Sequence, residues 1–393
     1  MDRRSFAKTT IALAAAGSAV SACSEEPAPK APAPKTPEYD PKMKLPLDDP
    51  TSWNGDSDEA QEQIKVIQSK RDYRNQHKRE VRKCTSILFF ADVHLIRANL
   101  SKIRRFYEKY KMHLDDAVHL GDAVGSFFRG SFTLWDSFPT ALNIIGNHET
   151  YLNDNYLKKK AGKPKFKTMP DRDKYDNYFK KYVGSWGVRQ PENAEAEGKC
   201  YWLKDYSGHV RIIGVDCMRL DSDAQFEWFK SALGEAAEKN LTVAIATHVP
   251  PDAELDIPSN FTSLDYHVPY KSGTCGIGQY KRYLGAVDDF IGAGGNFAAW
   301  ICGHTHTDML LYAAGTKRKQ FVLVMECATN FSDWTDAQHI RNTASETCWE
   351  VVSIEEKTNV IKVARFGNNF DHYLRHKGAF CYDFKNHKLI SQY

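Results

Sequence analysis

The 393-residue chain has no long hydrophobic run. Its N-terminal apolar stretch, residues 11–16, is far too short to cross a bilayer. It also has little net charge: 53 Lys and Arg face 50 Asp and Glu, which leaves +3. That balance removes the electrostatic case for a nucleic-acid partner, and none is expected. It lacks any C-x-x-C pair, which disfavours a zinc knuckle or a thiol redox motif. It lacks a repeat of solenoid type. What is present, 42% hydrophobic and 26% charged residues, excludes a wholly disordered chain. The length allows two domains, or one large α/β core with insertions.

The first residues read as an address. Arg3 and Arg4 precede the apolar stretch and small residues follow, the three parts of a secretory signal. Arg3-Arg4-Ser5-Phe6 with Lys8 resembles a twin-arginine export signal. Val20-Ser21-Ala22-Cys23 resembles a lipobox, in which cleavage leaves Cys23 as a lipidated N-terminus. The expectation is a signal peptide over 1–22. The mature chain would be exported and anchored by lipid in the periplasm, at the outer membrane or at the cell surface. Half of the 16 prolines lie between Pro27 and Pro50. Residues 23–57 therefore read as an extended polyproline-type tether, about 3 Å per residue. Residues 58–83 carry eight Lys and Arg and a thin apolar stripe of Ile64, Ile67 and Val81, the pattern of a charged, solvated helical lead-in.

From Thr85 the pattern changes to short apolar runs alternating with amphipathic segments. Strands are expected at 87–91, 117–120, 142–145, 210–215, 243–247 and 298–302, and helices at 99–112, 225–238 and 279–291. Alternation of this kind indicates an α/β layered fold. From 321 to 393 the chain reads as strands without helices (321–325, 349–354, 360–366), which suggests a β-rich part completing a second sheet. The body would then run over 84–320, with insertions at 151–199 and 250–278.

Five polar clusters each stand where an expected strand stops. They are Asp92-Val93-His94, Gly121-Asp122, Gly146-Asn147-His148-Glu149, His248, and Gly303-His304-Thr305-His306. In open α/β sheets, ligands gather outside the carboxyl ends of the strands. Asp92, His94, Asp122, Asn147, His248, His304 and His306 make a mixed carboxylate, imidazole and amide set, which suits divalent Zn, Mn or Fe. Gly121, Gly146 and Gly303 permit the tight turns of a crowded site.

Taken in order, D-x-H, G-D, G-N-H-E, H and G-H-x-H resemble the calcineurin-like metallophosphoesterase superfamily, over residues 87 to about 308. The resemblance implies an α/β fold, a four-layer α/β/β/α sandwich of two mixed sheets. It implies two divalent or trivalent metal ions, Mn, Fe or Zn. Asp92, His94 and His306 match ligands of one metal; Asn147, His248 and His304 match ligands of the other; Asp122 matches the bridging carboxylate. His148 matches the histidine beside the phosphate, a general acid or transition-state stabiliser. The implied reaction is hydrolysis of a phosphate monoester or diester by a metal-bridging hydroxide, on a small-molecule or lipid-linked substrate. The alternative is a noncatalytic metal- or ligand-binding lipoprotein on the same fold.

The chain departs from the family in one motif. Many members read G-D-x-x-D, and their second Asp orients the catalytic histidine. Here Gly125 stands in that place. Arg129, His267 and the aromatics Phe127, Phe128, Trp135, Phe261, Tyr266 and Tyr270 either bind a base or sugar and a phosphate, or pack the insertions. Cys200 and Cys217 flank a hairpin turning at Ser207-Gly208. That register makes them diagonal neighbours, about 7–8 Å apart. A disulfide needs about 4.4–6.8 Å, so free, buried thiols are expected.

Overall fold

The computed structural model describes residues 84–94, 97–124, 141–152, 167–168, 170–183, 187–251, 280–304, 309–312, 322–325, 347–355, 358–367 and 379–392. The proposed signal peptide, tether with Cys23, helical lead-in, Arg129, His267 and His306 lie outside the described residues. So do Phe127, Phe128, Trp135, Phe261, Tyr266 and Tyr270.

β1 (Cys84–Phe90) is buried on both faces from Thr85 onward, which is why residues 87–90 form a continuous apolar run rather than an alternation. Leu88 and Phe90 pack with Leu100, Ile103 and Phe106 of the helix Arg97–Tyr110 on one face. Ile87 and Phe89 face the other way, into the core between two sheets. β2 (Asp116–His119) and β3 (Ala141–Asn143) follow β1 in parallel. β12 (Cys348–Glu355) adds antiparallel to the free edge of β1, and β13 (Val360–Gly367), β14 (Ala379–Asp383) and β15 (Lys388–Gln392) continue as a meander. The sheet order is β15-β14-β13-β12-β1-β2-β3.

The opposing sheet starts with a hairpin, β6 (Trp202–Tyr206) and β7 (Val210–Gly214). Ser207 and Gly208 both have positive φ, 48° and 74°, the turn geometry whose twist matches the strands it joins. β8 (Thr242–Ala246), β9 (Asn296–Cys302) and β11 (Val322–Met325) are parallel to β7, and β10 (Met309–Tyr312) closes the far edge. The helices Asp223–Glu238 and Tyr280–Gly292 cover this sheet. The result is the expected four layers: helix, mixed sheet, mixed sheet, helices.

The described C-terminal strands divide between the two sheets. β12 to β15 extend the sheet begun by β1, because β1 is a central strand and requires a partner on each side; only β11 enters the other sheet. The 151–199 insertion contributes to the core. After a short ribbon, β4 (Tyr151–Leu152) with β5 (Lys167–Thr168), it forms a helix over 171–183 whose middle turn, Tyr175–Phe179, is a π-helix. Tyr175, Phe179 and Val183 are buried in the core shared by the two sheets. Cys200 and Cys217 are buried thiols, as the hairpin register requires.

Candidate metal centre

Each described site residue follows the carboxyl end of a strand. Asp92 and His94 follow β1, Asp122 follows β2, Asn147 and His148 follow β3, His248 follows β8 and His304 follows β9. Six of the seven are buried, and His148 is the exception, with its side chain 22% exposed. The chain pays a conformational cost to turn so many polar groups inward. Asp92, His94, Asp122 and His304 all occupy the left-handed region, with φ of 53°, 48°, 58° and 75°. Strain of that kind persists only where surrounding structure holds it. Gly121 has φ of 100°, and a Cβ there would lie 2.6 Å from the His248 ring. A Cβ on Gly146 would lie 2.2 Å from Oδ1 of Asp122. Both glycines are therefore needed for these loops to approach one another.

Asp122 occupies the centre. Its Oδ2 lies 3.3 Å from Nε2 of His248 and 3.6 Å from Nε2 of His148. Its Oδ1 accepts a hydrogen bond from the backbone N–H of His148 at 2.9 Å. On one side, donor atoms of His94, Asp122 and His148 all lie within 4.8 Å of one another; on the other, those of Asp122, His248 and His304 do the same. Asn147 joins the second group: its Oδ1 is 2.9 Å from Nε2 of His248 and 3.0 Å from Nδ1 of His304. Asp92 joins the first, with Oδ1 4.0 Å from Nε2 of His94, while its Oδ2 accepts from the backbone N–H of His304.

This donor set fits a divalent cation. Nε2 of His248 and Nδ1 of His304 stand 3.2 Å apart and both approach one amide oxygen. Ligands about 2.0–2.1 Å from a metal such as zinc stand roughly 2.9–3.4 Å from each other, which is the spacing found here. The second ring nitrogens agree. Nδ1 of His94 bonds to the carbonyl of Val124 at 3.3 Å, and this leaves Nε2 to face the site.

The electrostatics follow from burial and from opposed charges. Burial works against ionisation of Asp122, but His148 and His248 beside it hold its carboxyl well below the ordinary range. Burial raises Asp92 to about 6. Burial works against protonation of His248, yet Asp122 keeps its imidazole up to about 9. Burial, with the Asp122 charge next, pushes Glu149 up to about 7.

Glu149 does not stand in for the carboxylate that Gly125 fails to supply. Its Oε2 accepts from the backbone N–H groups of Asp122 (3.0 Å) and Gly146 (2.8 Å), and its Oε1 from that of Val124 (3.1 Å). It thus stitches two ligand loops together. Asp122 and the ring of His94, edge-on at 4.6 Å between centroids, lie beside His148. Sequence reasoning also passed over His119 and Asn143, which are completely buried behind the Asp122 loop. Their signal was two polar residues inside apolar strands.

The sequence profile described as calcineurin-like phosphoesterase matches residues 85–308. Among solved structures the chain is similar to a dimetal phosphatase from Danio rerio, at 11% identity over 72% of this chain and 96% of that one, with a TM-score of 0.47. It is similar to GAP50, the anchor in the inner membrane complex of Plasmodium, at 11% identity over 79% of this chain and 88% of that one, with a TM-score of 0.40. It is also similar to a conserved protein from Streptococcus pneumoniae, a predicted phosphoesterase, at 13% identity over 76% and 98%, with a TM-score of 0.31. No curated protein matches the sequence.

Proposed function

This chain belongs to the calcineurin-like phosphoesterase family, and on that premise we propose that it is a two-metal hydrolase of phosphate esters acting outside the cytoplasm. One observation carries the reading: the Asp122 carboxylate is common to both groups of buried donor atoms, so a single side chain can serve two cations. Asp92, His94 and, by the family resemblance, His306 would hold one. Asn147, His248 and His304 would hold the other. Bound cations would supply Lewis acidity and lower the pKa of water, the two things a phosphate ester needs before an anion can be attacked.

The chain's own residues do the rest. Buried Asp92 and Asp122 would offset cationic charge. Leu120 and Val124 carbonyls hold the His248 and His94 rings so that Nε2 of each faces inward. His148 is the one described site imidazole with appreciable exposure, so it can meet an ester oxygen at the mouth and donate a proton as the oxygen leaves. The neutral balance of the chain and the Pro-rich stretch after Cys23 support a lipid-tethered body that meets small-molecule or lipid-linked phosphate esters at a membrane.

The test is hydrolysis of p-nitrophenyl phosphate and its bis ester by purified protein, stripped of metal and then reloaded with Mn²⁺, Zn²⁺ or Fe. Activity restored by metal is expected, and the preferred ester separates monoesterase from diesterase. Two bound metals per chain without turnover of either ester would favour the noncatalytic binding reading instead.

A further inference from the structure

We propose that the helix over 171–183, which belongs to the 151–199 insertion, is part of the metal-holding apparatus, and that Asn143 and His119 are the positioning residues through which it acts. The inference deepens the metal-dependent reading above and rests on it for its functional consequence.

The segment 119–122 is the hub of the site. The Leu120 carbonyl accepts from Nδ1 of His248 at 2.8 Å. The Gly121 carbonyl accepts from the Asp92 N–H, and the Asp122 carbonyl from the His94 N–H, each at 3.0 Å. Asp122 itself is the shared carboxylate. A shift of this short segment would therefore move donors on both sides of the centre at once.

A buried polar chain holds the hub from behind. Nδ2 of Asn143 donates to the Tyr178 carbonyl at 2.8 Å, which settles the orientation of its amide and turns Oδ1 toward His119. Oδ1 lies 2.8 Å from Nδ1 of His119, so that nitrogen carries the proton and donates; the Gly121 backbone N–H approaches the same nitrogen at 3.3 Å, a longer contact that competes for it. Burial pushes His119 down to about 3, and the ring stays neutral in this role. The Asn143 backbone is used as well: its carbonyl accepts from Nε1 of Trp202 at 3.0 Å. Tyr178 sits within the π-helical turn Tyr175–Phe179. Such turns, rare and concentrated at functional sites, displace a carbonyl from the regular helical ladder. Here a carbonyl of that turn meets a buried amide from the strand that leads to Asn147. Tyr175 and Phe179, on either side of it, are anchored in the core, so the acceptor is rigidly placed.

Partners behind the ligands typically govern metal affinity by 10–100-fold. Asn143→Ala and His119→Leu are each expected to weaken Zn²⁺ binding by about tenfold or more, measured by competition with a chromophoric chelator. His119→Asn, whose amide nitrogen can replace Nδ1–H, should restore most of it. Val352→Ala, a buried position on β12 away from the chain, serves as a control matched for loss of Tm. In metal-free protein, ¹⁵N spectra should show His119 as the Nδ1–H tautomer, and Asn143→Ala should move the His248 signals. Wild-type affinity in both variants with unmoved His248 signals would overturn the proposal, as would His119→Asn binding no better than His119→Leu. A wild-type chain that binds no metal would defeat the metal-dependent reading, whereas the positioning claim would still be decided by the His248 signals.

Discussion

The carbonyl of Leu120 accepts a hydrogen bond from Nδ1 of His248, 128 residues further along the chain. That single bond settles which imidazole nitrogen meets Asp122 and Asn147, and it joins the end of β2 to the end of β8 across the two sheets. The centre is thus a product of sheet-to-sheet packing, and damage to it should be read as damage to a shared geometry.

Asp122→Asn should reduce occupancy at both metal positions and abolish hydrolysis. Metal analysis of the purified variant checks this. Retention of two metals with full activity would remove the shared-carboxylate assignment.

His148→Ala should keep both metals and lower kcat by roughly 10²–10⁴-fold on esters with poor leaving groups. The loss on nitrophenyl esters should be much smaller, because nitrophenolate needs no proton to depart. Equal losses on both substrate types would refute the acid role.

Glu149→Gln should fold but bind metal about 10–100-fold more weakly. The carboxylate accepts from three backbone N–H groups on two loops, and an amide must turn its NH₂ toward at least one of them. Glu355→Gln is the control, a buried carboxylate at the opposite end of the sheet, bonded to Thr358 and Lys362. Calorimetric titration with Mn²⁺ separates the two.

Stability should depend on Glu235 in acid. Hydrogen bonds from Arg189, Lys239 and Arg211 lower its carboxyl to about 2. Its unfolded value is about 4.3. A depressed folded value contributes stability that is complete above about pH 4.3 and is lost as pH falls toward 2. The Tm difference between wild type and Glu235→Gln should therefore be constant from pH 7 to 5 and shrink below about 4.3. A difference independent of pH would show that packing alone matters there.

Wild-type protein is expected to partition with membranes, and Cys23→Ala to release it or leave an unprocessed precursor. Several acyl chains resist release because each buried CH₂ contributes about 0.8 kcal/mol. Soluble wild-type protein with an intact Met1 would end the localisation proposal and leave the metal centre untouched.

The candidate ligands were legible because each follows a run that reads as a buried strand. Asp92, Asp122, Asn147, His248 and His304 needed no knowledge of which strands were neighbours. Glu149 was visible as a residue but not as a clamp, since its partners are backbone N–H groups that any residue supplies. The helix over 171–183 was hidden for a different reason: charged Asp, Arg and Lys side chains dominate the segment, while Tyr175, Phe179 and Val183 face the core and Tyr178 packs against it. The destination of the last strands was equally hidden, because an alternating strand pattern carries no record of the edge it will join.

That edge has a consequence for the order of events during synthesis. Ser86 on β1 and Ser353 on β12 share a hydrogen bond across 267 residues. At about 5–20 residues per second, the ribosome delivers the second of them roughly 13–53 s after the first. Throughout that interval the strand that bears Asp92 and His94 has one hydrogen-bonding edge without its final partner, a condition that invites association with other chains. A ribosome stalled just before residue 348 would therefore hold all seven candidate metal-site residues while β1 still lacked β12.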